Sequence, residues 1–119
     1  MGYEMSKILV KRNAETIIMD TLADTPVTVL QGARQVGKNT LAIIVTKDRI
    51  SKSVTFDSET SLASAKENAL EFVEQLPEGL LIINEIQKCP ELLNAIKMAV
   101  DRNRRPGRFL ITGSANILN

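Results

Sequence analysis

Two short stretches of this sequence carry residues with chemistry to offer. In Gly32-Ala33-Arg34-Gln35-Val36-Gly37-Lys38, two glycines bracket four residues and a lysine follows the second. A loop built this way can aim successive backbone N–H groups at one point as an anion nest. Glycine reaches the tight dihedrals and leaves room for an oxygen beside the main chain. Lys38 adds a positive charge on a flexible stem, suited to terminal phosphates. After such a lysine a Ser or Thr normally follows, whose hydroxyl serves a magnesium ion; here it is Asn39. Thr40 comes next, but one residue is about 100° of helix rotation, which places its hydroxyl for an α-phosphate rather than for the metal.

The second stretch, Leu80-Leu81-Ile82-Ile83-Asn84-Glu85, lies about 46 residues beyond Lys38 and closes four apolar residues with a polar pair. In phosphoryl-transfer sites that use such a strand, an Asp in the first polar position holds Mg²⁺. A Glu in the second can activate the attacking water. Here the first is Asn84, while Glu85 is kept. A buried strand ending in a turn would also account for this stretch alone; its order after the phosphate loop, with one strand between, favours a nucleotide site. Both departures, Asn39 and Asn84, strike the same ion. Mg²⁺ requires hard oxygen ligands, and each lost supporting group at a metal site typically costs about 10–100-fold. Backbone contacts and Lys38 are untouched. The expectation is that nucleotide binds, that Mg²⁺ binds weakly, and that hydrolysis is weak or lost.

These residues need a scaffold, and the apolar pattern supplies one. Val27-Thr28-Val29-Leu30 reads as a buried strand running straight into Gly32, and residues 41–45 as a helix after the loop. Before the strand, Ile17, Ile18, Thr21 and Leu22 share a helical face that Asp24-Thr25-Pro26 ends. Residues 53–57 read as a second strand, and residues 62–76 as one or two amphipathic helices with Leu70, Val73 and Leu76 on one face. Pro77-Glu78-Gly79 is a turn, and residues 80–83 form the third strand. Pro90 suits the first turn of a helix holding Leu92, Leu93, Ile96, Met98 and Val100. Arg104-Arg105-Pro106-Gly107 turns into a fourth strand over residues 108–112, and residues 1–10 show no clear period. Helices alternate with strands that are continuous apolar runs, the pattern of a parallel sheet covered on both faces. The reading is one α/β domain over residues 1–119.

Composition closes off other classes. The chain has 119 residues, 44% hydrophobic and 24% charged, enough to bury about two-thirds of its surface without staples. Fifteen basic against 14 acidic side chains leave a net charge of +1, which provides no field for steering to nucleic acid or anionic membranes. The absence of histidine excludes Ser-His-Asp triads, Cys-His dyads and His-ligated zinc. A single cysteine, Cys89, has no internal disulfide partner, and beside Pro90 with no basic or histidine partner specified by the sequence it reads as an unreactive thiol. With no long apolar run or signal peptide in the sequence, a cytoplasmic protein is expected.

Taken together, GARQVGKNTLA, LLIINEIQKCPELLNAIKMAVD and RRPGRFLITGSAN resemble the AAA-type ATPase domain of a large bacterial and archaeal P-loop family. Its members read close to GPRQVGKTTL, LIIDEIQ-x-x-PELL and a strand ending in LTGS. The resemblance covers about residues 13–118. It implies a three-layer α/β/α P-loop NTPase fold with about four core strands, in the spatial order first, fourth, third, second, and ATP with Mg²⁺ as ligand. It also implies that Gly32, Ala33, Arg34, Gln35, Val36, Gly37, Lys38, Asn39 and Thr40 line the phosphates, with Arg34 and Gln35 as the family's RQ pair. Lys38 and Glu85 match catalytic positions, Gln87 the glutamine of the EIQ signature, and Thr112 and Ser114 the sensor at the strand end. Asn39 and Asn84 stand at the Mg²⁺ positions. Asp57 matches a family Phe-Asp pair; it faces either the nucleotide rim or, with Ser58, the start of a helix. Arg104, Arg105 and Arg108 read as solvated charges beside a turn rather than as an arginine finger.

In that family a further strand and a C-terminal domain usually follow, so the chain is expected to be truncated, with its fifth strand missing. The first strand would then be an unprotected edge, available to a second copy or a partner protein, and Val29→Lys would block the pairing. Two functions compete: an ATP-binding domain with impaired hydrolysis, and a non-catalytic interaction module on a vestigial phosphate loop.

Overall fold

A computed structural model describes residues 5–9, 14–31 and 49–113. Among the described residues five parallel strands form one sheet: β1 (Met5–Leu9), β2 (Val27–Gln31), β3 (Ser51–Thr55), β4 (Leu80–Asn84) and β5 (Phe109–Gly113), in the order β1-β2-β5-β4-β3. The four core strands take the order expected from the family resemblance. Helices α1 (Ala14–Leu22), α2 (Glu59–Glu67), α3 (Ala69–Val73) and α4 (Leu92–Arg102) connect and cover them.

The edge expectation is corrected. β1 pairs with β2 in parallel from Met5↔Val27 to Leu9↔Gln31, so β2 lies between β1 and β5 and has no free edge. Residues 1–10 carried too little periodicity to announce a strand, and β1 supplies the flank that was expected to be missing. Val29 is fully buried, so Val29→Lys would place a charge in the core rather than at an edge.

Alternation of side chains across the sheet divides the core in two. Val27, Val29, Leu81, Ile83, Phe109 and Ile111 pack with Ala65, Val73, Ala95, Ile96 and Val100 of the later helices. On the other face Leu30, Leu80, Ile82 and Leu110 pack with Ile18 and Leu22 of α1. The result is helix, sheet, helix. Register carries straight across: Val29, Ile111, Ile83 and Val54 form one row, and Leu30 and Thr112 are partners in the next.

Local chemistry sets the breaks. Ser58 caps α2, its hydroxyl accepting from Ser61 N at 3.3 Å. Asn68 caps α3 in the same way through Glu71 N at 3.1 Å, and this splits the 62–76 stretch into two helices. β3 begins two residues earlier than the apolar pattern indicated, on Ser51 and Lys52. Gly107 takes φ +71° in the turn before β5, where its N–H reaches Thr25 O at 2.9 Å; a side chain there would be strained.

Arg108 is also corrected. It is 1% exposed and not solvated. Its guanidinium donates to Ala99 O (2.8 Å) and Asn103 O (3.1 Å) at the C-terminal end of α4 and to Glu74 Oε1 (3.1 Å), and it lies 5.0 Å from the Phe109 ring centre. The last carbonyls of a helix lack intrahelical donors, and a cation there also suits the helix dipole. Arg105 is half-buried, holding the carbonyls of Pro77 and Gly79.

Candidate functional site

In open parallel α/β sheets the ligand crevice lies beyond the carboxyl ends of the strands. β2 ends at Gln31, one residue before Gly32, and Gln31 is in register with Gly113 of β5. The sheet thus places Gln31, the residue before Gly32 in the sequence, at the same rim that carries the ends of β5 and β4. Residues 32–48 and Ser114 lie outside the described residues, and with them Gly32, Ala33, Arg34, Gln35, Val36, Gly37, Lys38, Asn39 and Thr40, together with the helix read over residues 41–45.

Asn84 and Thr112, singled out separately from the sequence, meet at this rim. Thr112 Oγ1 donates to Asn84 Oδ1 at 2.9 Å. The other end of the amide turns to β3: Asn84 Nδ2 donates to Val54 O at 3.1 Å and to Ser53 Oγ at 3.3 Å. Asn84 O in turn accepts from Phe56 N at 3.0 Å. A single side chain therefore ties β3, β4 and β5 together at their carboxyl ends. Thr112 is 2% exposed, whereas Asn84 is half-buried.

Glu85 follows with φ 62° and ψ 46°, the only left-handed non-glycine backbone among the described residues. Such a conformation persists only where its surroundings enforce it. Ile86, fully buried, anchors the residue after it, and Ile86–Lys88 wind into a 3-10 turn closed by Lys88 N to Glu85 O at 3.1 Å. Gln87 Nε2 donates to Glu85 Oε1 at 2.6 Å, while Gln87 Oε1 is buried with no protein partner. Lys88 Nζ meets Asp57 Oδ1 at 2.6 Å across the strand ends. Asp57 is thus the ion-pair partner of Lys88, and Ser58 is the cap of α2.

Sequence reasoning placed Asn84, Glu85 and Thr112 at strand ends, and they lie there. It could not see Ser53, Val54 and Lys88, whose roles come from strands brought side by side. Cys89 is fully buried, and burial, with the Glu91 carboxylate next, pushes its thiol pKa up. Among the described residues, no three His, Cys, Asp or Glu side chains gather as a metal-binding group, and no helix is long and apolar enough to cross a membrane.

The family model of an AAA domain matches residues 24–119, and the chain belongs to that family: it is an ATPase-like P-loop domain. It is similar to an uncharacterized protein of Mycobacterium bovis and to one of Mycobacterium tuberculosis, each 34% identical over 109 residues, or 92% of this chain. The chain spans about a quarter (24%) of the length of these relatives. No solved structure matches it.

Proposed function

We propose that this domain binds ATP at the carboxyl ends of β2, β5 and β4, and hydrolyses it slowly or not at all. The observation that carries this reading is the register of the rim. β2 ends one residue before the Gly32–Lys38 phosphate-loop sequence, and its last residue is the partner of Gly113, beside the Thr112–Asn84 contact. Backbone N–H groups of that loop suit the phosphates, with Lys38 at the terminal ones. Glu85 is the group to take a proton from an attacking water, and Gln87 holds its carboxylate at 2.6 Å. Magnesium, where a P-loop site binds it, neutralises charge on the β- and γ-phosphates; Asn39 and Asn84 stand where its protein ligands belong, and this supports weak turnover.

Calorimetric titration of the chain with ATP and ADP tests the reading, with Lys38→Ala as control. Micromolar binding that Lys38→Ala weakens by about tenfold or more, the cost of a lost charged contact, is expected. An absence of binding up to millimolar nucleotide would overturn it.

A further inference from the structure

We propose that Asn84 is a neutral cross-strand clip standing in place of a metal ligand, so that this rim keeps its shape, and takes nucleotide, without a divalent cation at position 84. The nucleotide part rests on the reading above; the clip does not.

Three of the amide's four hydrogen-bonding sites are committed. Its one oxygen already receives the Thr112 proton at 2.9 Å. Its NH₂ group, the positive end of the dipole, faces Val54 O and Ser53 Oγ. The orientation is fixed by that carbonyl: turned over, the amide would set oxygen against oxygen. A cation approaching Oδ1 meets a neutral oxygen with one acceptor site already taken by Thr112 and only the other left, and Mg²⁺ demands near-ideal oxygen geometry. The two carboxylates flanking the site are engaged as well, Asp57 by Lys88 and Glu85 by Gln87, each at 2.6 Å. An Asp here could still accept from Thr112, but it would lose both donors to β3 and press a charged oxygen against Val54 O. Metal would then be needed to neutralise it. With Asn the three strand ends are joined whether or not an ion is present.

Thermal unfolding of the full chain and of Asn84→Asp, in EDTA and in millimolar Mg²⁺ without nucleotide, tests the clip. The parent midpoint should be the same in both buffers. Asn84→Asp should lower it by roughly 5 °C in EDTA, and Mg²⁺ should restore part of that loss. A parent midpoint raised by Mg²⁺ alone, or an Asn84→Asp chain as stable as the parent in EDTA, would overturn the proposal. Should Asn84→Asp not fold, Mn²⁺ added to the parent decides: the amide resonances of Asn84 and Thr112 should stay sharp, and their selective broadening overturns it. Calorimetry of ATP in Mg²⁺ and in EDTA separates the two layers. Equal affinity supports the proposal, while tightening by Mg²⁺ of about tenfold or more, the size usual for a supported metal, overturns it. If ATP fails to bind in either buffer, the nucleotide reading and the nucleotide half of the proposal both fall, and the unfolding and Mn²⁺ results decide the clip.

Discussion

Thr112 Oγ1 donates its proton to Asn84 Oδ1 at 2.9 Å, joining the carboxyl ends of β5 and β4 where Thr112 is 2% exposed. Thr112→Val keeps the shape and removes the proton, leaving the amide oxygen unpaired in a half-buried place. Leaving a buried polar group unsatisfied costs about 1–3 kcal/mol. Urea unfolding should show a loss in that range for Thr112→Val and a smaller one for Thr112→Ser, which retains the hydroxyl.

Arg108 is the largest fully buried side chain among the described residues, and it joins α4 to Glu74. Arg108→Met removes three charge-assisted contacts and strands the carbonyls of Ala99 and Asn103. The expected loss is on the order of 2–3 kcal/mol, measured by chemical denaturation. Arg108→Lys should recover only part of it, because an ammonium cannot reproduce the planar fork.

At Glu85 the backbone stands at φ 62°. Glu85→Ala and Glu85→Gly both lose the contact with Gln87, so their difference isolates the backbone. Glycine should be the more stable by about 1 kcal/mol; equal stability would show that the left-handed turn is not strained.

How far the sequence reached can be judged from these same residues. Asn84, Glu85 and Thr112 were legible because each closes an apolar run, and strand ends are where a parallel sheet gathers its chemistry. All four core strands were legible for the same reason, although β3 was placed two residues late because its first residues, Ser51 and Lys52, are polar and partly exposed. β1 was missed, since a short flanking strand needs little pattern of its own. Arg108 was misread because a charge beside a turn looks solvated until the end of α4 and Glu74 are seen to close over it. The contacts of Asn84 with Ser53 and Val54 span about thirty residues of sequence and leave no local trace.

Cys89 gives a pH signature. Burial, then the nearby Glu91 carboxylate, raises its thiol pKa in the folded chain. The unfolded chain therefore ionises first as pH rises past the ordinary thiol value of about 8.5. Stability from this group is complete below that pH and is lost as pH climbs towards the folded pKa. Urea midpoints between neutral and alkaline pH should fall with a slope that Cys89→Ala flattens, whatever that variant's baseline.

The central claim is that the carboxyl rim of β2, β5 and β4 is a nucleotide site. Mapping of backbone amide ¹H–¹⁵N resonances during ATP titration tests it most directly. The largest shifts are expected at Gln31, Asn84, Glu85, Thr112 and Gly113, with the amino ends of β4 and β5 near Leu80 and Phe109 unmoved. Shifts centred on those amino ends, or a spectrum unchanged at millimolar ATP, would contradict it.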